Sequence, residues 1–139
     1  MFCQKLDYDG VYGAQCVDLI KYYYAYLGVS PVTGNGADYA YNSLPAGWIR
    51  IQNYSGFIPQ PGDIAVWTGG YGHVSIVTSS DSVGFNSINQ NVSGTDGSCM
   101  SLWKWNTEIW GVIRPDFPSS SQLTVSYSDV KTTMVDSWN

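Results

Sequence analysis

From Trp48 to Pro115 the chain reads as β. Six short segments rich in β-branched and aromatic residues lie at 48–53, 63–68, 73–80, 84–91, 102–106 and 110–115. Turn-forming stretches separate them: PQPG at 59–62, GGYG at 69–72 and SGTDG at 93–97. Ahead of this run, residues 15–27 (QCVDLIKYYYAYL) place Val17, Ile20, Tyr24 and Leu27 at helical spacing, and Gly28 follows as a stop. Residues 34–44 suggest a second, short helix closed by Pro45 and Gly47. Helices first and strands after predict an α+β fold, with N-terminal helices packed on a roughly six-stranded antiparallel sheet. A length of 139 residues suits one domain with a short appendage. Residues 1–115 carry the domain, and the Pro/Ser stretch DFPSSSQ opens a linker or tail at 116–139.

The formal net charge of −5 argues against a nucleic-acid partner, which calls for a basic surface. No apolar run is long enough to cross a bilayer, so no membrane insertion is expected. The start MFCQKLDYDG lacks the basic and apolar regions of a signal peptide. Three cysteines, Cys3, Cys16 and Cys99, cannot all pair internally, and a Cys3–Cys99 bridge has no support in the sequence. His73 is the single histidine, and CxxC is absent, which argues against a zinc site of His and Cys.

Cys16 falls at the start of the first predicted helix, where unpaired N–H groups and the helix dipole favour a thiolate and can also meet a developing oxyanion. The only imidazole able to act as its base is His73, at the start of a strand after a glycine-rich turn. Asn89 and Asn91 follow on the next strand, on one face of it, and either amide carbonyl can orient the ring. Taken singly, a helical cysteine is most often a small core residue and a lone histidine a surface or satisfied core group. The order Cys, His, Asn, with each at an element start or on the adjoining strand, favours nucleophilic catalysis.

The stretch DYDGVYGAQCVD, residues 7–18, sets Asp7, Asp9, Val11, Gly13 and Asp18 at positions one, three, five, seven and twelve of a calcium-loop spacing. Position five offers only a backbone carbonyl, and position six is Tyr12 instead of glycine. A solvated Asp/Gly turn is the plainer alternative. A cation here would tie the loop to the helical turn that bears Cys16, and its charge would favour the thiolate.

The segments DYDGVYGAQCVDLIKYY, GNGADYAYN, PQPGDIAVW, GYGHVSIV and INQN, in this order across residues 5–115, resemble CHAP domains, the cysteine, histidine-dependent amidohydrolase/peptidase family. The NlpC/P60 pattern fits less well, because it carries Asp-Cys-Ser-Gly and a second histidine. The resemblance implies a papain-like α+β fold and hydrolysis of an amide bond in peptidoglycan, as an endopeptidase or an N-acetylmuramoyl-L-alanine amidase. It implies action at the bacterial cell wall, and with no signal peptide seen the expectation is a phage-encoded, holin-released protein or a trimmed form of a secreted one. A monomer is expected, with a tail that begins a wall-binding module. By position, Cys16 is the nucleophile, His73 the base, and the backbone N–H of Cys16 with the Gln15 side chain the oxyanion site. Many members have Glu where this chain has Asn89, so the third member is Asn89 or Asn91. Some members bind Ca2+ before the cysteine, which implies side-chain ligands from Asp7, Asp9 and Asp18 and main-chain oxygens from Val11 and Gly13. Tyr12, Trp67, Tyr71 and Trp103 are candidates for lining a groove. The rival readings are a non-catalytic wall-binding module on the same fold and a calcium-dependent interaction module.

Overall fold

The computed structural model describes residues 16–29, 34–70, 72–90 and 99–116. One α-helix, α1 (Cys16–Tyr26), is followed by a 3-10 turn (Gly36–Ala40) and six strands. These are β1 (Ile49–Gln52), β2 (Ile64–Trp67), β3 (His73–Ser80), β4 (Gly84–Gln90), β5 (Cys99–Trp105) and β6 (Gly111–Arg114). They form one antiparallel sheet in the order β1-β6-β2-β3-β4-β5. The α+β expectation therefore holds, with two differences of detail. The second helix is a single 3-10 turn, and β5 begins three residues before the predicted 102, at Cys99. Leu102 and Lys104 mark that strand clearly, whereas Cys99 and Met100 carry no turn or alternation signal of their own and join it by pairing with Gln90 and Asn89.

The helix stops where the sequence said it would. Gly28 adopts φ +84, its N–H donates to Ala25 O, and the Val29 N–H reaches back to Tyr24 O at 3.1 Å. This pair of bonds closes the last turn and needs the left-handed conformation that glycine accepts without a Cβ penalty. Nearly every side of α1 is buried, and Leu19, Ile20, Tyr23 and Tyr24 pack with Ile64, Val66, Val74, Ile76, Ile88 and Ile113 from the sheet. The Tyr23 hydroxyl donates to Gly62 O at 2.8 Å, and Tyr24 stacks on Trp48 with ring centroids 4.5 Å apart.

Because side chains alternate along a strand, the register assigns the other face of the sheet without ambiguity. Ile64 and Val66 pair with Ile76 and Val74 on the helical side. Ala65 pairs with Ser75, and Trp67 with His73, on the opposite side. That opposite face gathers a second apolar cluster of Phe57, Ala65, Val77, Phe85, Ile109 and Val112. A register shift between Val77 and Ser79 marks a β-bulge in β3 against β4.

The Asp of Pro-Gly-Asp proves to be structural. Asp63 is 1% exposed, and its carboxylate accepts the Gln60 N–H and both Nε and an NH2 group of Arg114, the latter two at 2.9 Å. The bidentate pair fastens the end of β6 to the turn that launches β2.

Candidate active site

Three elements converge where β3 begins. Cys16 is the first residue of α1, half-buried against the helical-side core. Its sulfur feels the backbone N–H groups of Val74, Val17 and Cys16 itself, each favouring the thiolate. Val74 is the residue after His73, so the nucleophile from the helical layer and the imidazole from the other face flank the same short piece of β3. Burial nevertheless outweighs those N–H groups, and the Asp18 carboxylate adds to it, so the Cys16 thiol is pushed above its ordinary pKa. The sequence predicts a lowered thiol pKa at the helix terminus; the N–H groups act that way, but desolvation outweighs them and the net shift is upward.

His73 and Asn89 are brought together directly. His73 Nε2 lies 2.7 Å from Asn89 Oδ1. The Asn89 Nδ2 group donates to Ser87 O at 3.0 Å and to Ser87 Oγ at 2.9 Å. Two donations at Nδ2 leave Oδ1 as the acceptor facing the ring, so Nε2 carries the ring proton and Nδ1 holds the lone pair. Burial lowers the His73 pKa below its ordinary value; the Asn89 bond opposes this and the Lys104 ammonium reinforces it. Trp67 packs against the imidazole with centroids 5.2 Å apart and so restricts its tilt.

A glycine pair sets the backbone at this point. A Cβ on Gly36 would lie 2.6 Å from the His73 nitrogen, and one on Gly72 would lie 2.1 Å from the Ala37 nitrogen. The 3-10 turn therefore rests directly on the backbone that carries His73, a contact only two glycines permit.

Of the other predicted residues, Asp18 is buried in the first turn of α1 at 1% exposure. Asp7, Asp9, Val11, Gly13, Gln15 and Asn91 lie outside the described residues, as do Tyr12 and Tyr71. Trp103 pairs with Asn86 while Asn89 pairs with Met100, so Trp103 stands on the face opposite Asn89 and does not line the His73 side. Sequence reasoning missed Ser87. Its signal was present, since Ser87 and Asn89 are two apart on one strand and share a face.

The chain matches the CHAP domain family over residues 6–91. It is 34% identical over 131 residues to endolysin PlyTW of Staphylococcus phage Twort, covering 84% of this chain and 28% of that protein. It is 35% identical over 96 residues to endolysin LysK of Staphylococcus phage K, covering 64% of this chain and 19% of that protein. Among solved structures it matches the crystal structure of wild type endolysin LysIME-EF1 with a TM-score of 0.76 at 28% identity, over 86% of this chain and 61% of that one. The chain thus spans less than a third of the two curated relatives. A thiol at the head of α1, an imidazole at the head of β3 and an amide acceptor on β4, on a sheet shared with an endolysin, agree with the family match: this chain belongs to the CHAP domain family.

Proposed function

We propose that this chain is a peptidoglycan hydrolase domain that cleaves an amide bond of the cell-wall peptide with Cys16 as nucleophile. The observation that carries the reading is the 2.7 Å contact of His73 Nε2 with Asn89 Oδ1, at the head of the strand whose next residue, Val74, offers its N–H to the Cys16 sulfur. The endolysin names of its relatives supply the substrate class.

Both pKa shifts favour the uncharged pair, a thiol and a neutral imidazole. Proton transfer from Cys16 to His73 Nδ1 then accompanies attack on the scissile carbonyl. The backbone N–H of Cys16, with the Gln15 side chain, receives the oxyanion. The imidazolium returns its proton to the leaving amine, which departs and leaves a thioester on Cys16. Water, activated by neutral His73, attacks the thioester; the acid is released and the thiol restored. Asn89 stabilises the imidazolium through a dipole, less strongly than a carboxylate would.

Calcium belongs to the same proposal. Asp18 fits a hard-cation site, being a carboxylate buried in the helical turn next to the acidic stretch. Asp7, Asp9 and Asp18 would supply side-chain oxygens, with Val11 and Gly13 giving carbonyls. The ion would supply positive charge beside Asp18, offsetting the carboxylate that raises the Cys16 thiol.

The test is mass spectrometry of fragments released from defined peptidoglycans by the chain and by Cys16→Ala. New peptide or amide termini from the first and none from the second are expected; equal release by both removes Cys16 from the mechanism. The raised Cys16 thiol is the observation that favours the second reading, a wall-binding module without catalysis. Wall binding with no released fragments would select it.

A further inference from the structure

We propose that Ser87 is a positioning residue: it holds the Asn89 amide in the one orientation that leaves Nδ1 of His73 as the proton acceptor. The activity readout, though not the geometry, rests on the hydrolase reading above. A carboxylate can accept at either oxygen, whereas an amide has two unlike ends, one accepting and one donating. Whichever end faces His73 decides which ring nitrogen carries the proton. An asparagine in this place therefore needs something behind it to select the end.

Ser87 provides that selection through its backbone carbonyl, and its hydroxyl anchors the same amide. Its backbone carbonyl, 3.0 Å from Asn89 Nδ2, can only accept, so the end of the amide facing it must be the NH2 group. Its Oγ, 2.9 Å away, takes a second bond from the same nitrogen. With the amide turned over, Oδ1 would face the Ser87 carbonyl, two acceptors with no proton between them. Ser87 and Asn89 are both fully buried, so water does not relieve that arrangement. The carbonyl end is thus directed at the ring, Nε2 must donate across 2.7 Å, and Nδ1 keeps the lone pair. The placement follows from the strand, since Ser87 and Asn89 are two apart on β4 and share its face.

His73 is the single histidine, so 15N-histidine labelling reports one imidazole without assignment overlap. Long-range 1H–15N spectra at neutral pH distinguish the two neutral tautomers by the ring-nitrogen shifts. The native chain is expected to show the Nε2–H form alone. Ser87→Ala removes the anchoring hydroxyl but keeps the carbonyl that selects the amide end, so it is expected to keep the Nε2–H form. It should nevertheless lower kcat by about tenfold with little change in KM, the scale of one buried amide hydrogen losing its partner. Ser87→Thr keeps the hydroxyl and is expected to keep the native tautomer. A native spectrum showing the Nδ1–H form overturns the proposal, as does an Nδ1–H population in Ser87→Ala or a Ser87→Ala chain that keeps the native kcat. If Ser87→Ala does not fold, the native and Ser87→Thr spectra decide: an Nδ1–H population in either refutes it. A chain that binds walls but releases nothing would refute the hydrolase reading while the tautomer still decides the role of Ser87.

Discussion

Replacing Gly72 by alanine separates backbone strain from displacement of the site, provided Gly70→Ala is measured beside it. Both glycines have positive φ, +78 and +60, so each alanine carries the left-handed penalty of about 1–2 kcal/mol. Their surroundings differ. A Cβ at Gly70 meets nothing within 4 Å, whereas one at Gly72 lies 2.1 Å from Ala37 N, 2.5 Å from Ala37 Cα and 2.7 Å from Gly36 C. Reaching an ordinary separation of 3.4 Å requires the 3-10 turn and the start of β3 to part by more than 1 Å. All three obstructing atoms are backbone, so no rotamer change relieves them. Overpacking of this kind adds about 1–3 kcal/mol, which for a domain of this size places the melting temperature of Gly72→Ala roughly 4–12 °C below that of Gly70→Ala. The imidazole rides on the displaced residue, and a shift of about 1 Å in a catalytic group costs about 10²-fold in rate. Thermal denaturation and the rate of clearing of wall suspensions measure the two effects. Gly70→Ala should turn over almost as the native chain does. Equal melting temperatures and equal rates for the two variants would refute the claim that the 3-10 turn seats His73.

Arg114→Met leaves the buried Asp63 carboxylate with the Gln60 N–H as its remaining described partner, and should cost about 3 kcal/mol, the low end for a broken buried pair because Arg114 is 24% exposed; urea unfolding measures it, and a loss under 1 kcal/mol contradicts it. Burial holds the His73 pKa below 6.5, so the base stays neutral below that pH and the acid limb of kcat/KM should fall under 6.5; a limb above it contradicts the burial argument. The same depressed pKa sets the sign for stability: the unfolded chain takes up the proton first, so the stability associated with a neutral His73 is full above pH 6.5 and is lost as pH falls through the folded value. A chelator should lower both the melting temperature and wall clearing, and calcium at about 100 times its Kd should restore about 2.7 kcal/mol; unchanged melting and activity in the chelator remove the ion from the proposal.

Much of the architecture was legible because it is written in local patterns. The helix, its stop at Gly28 and all six strands follow from residue spacing within a few positions. The second predicted helix shrank to one 3-10 turn, because Gly36 at its start packs directly on the His73 backbone and Pro45 closes the segment soon after. Cys16 and His73 were legible as rare residue types at element starts, and Asn89 as an amide on the adjoining strand. Ser87 was passed over because serine on a strand is common, and only its two bonds to Asn89 distinguish it.

By itself the sequence determined the order of elements, the thiol at a helix head and the lone imidazole at a strand head, since periodicity, glycine stops and residue chemistry act over short chain distances. Tertiary structure alone decided the rest. Desolvation raised the Cys16 thiol against the helix terminus that lowers it, because burial is a property of the packed surroundings and not of the first turn. Strand register placed Trp103 away from His73 and Asn89 beside it. The Asp63–Arg114 pair and the Gly36–Gly72 contact join segments far apart in the chain, at distances only the folded sheet brings within bonding range.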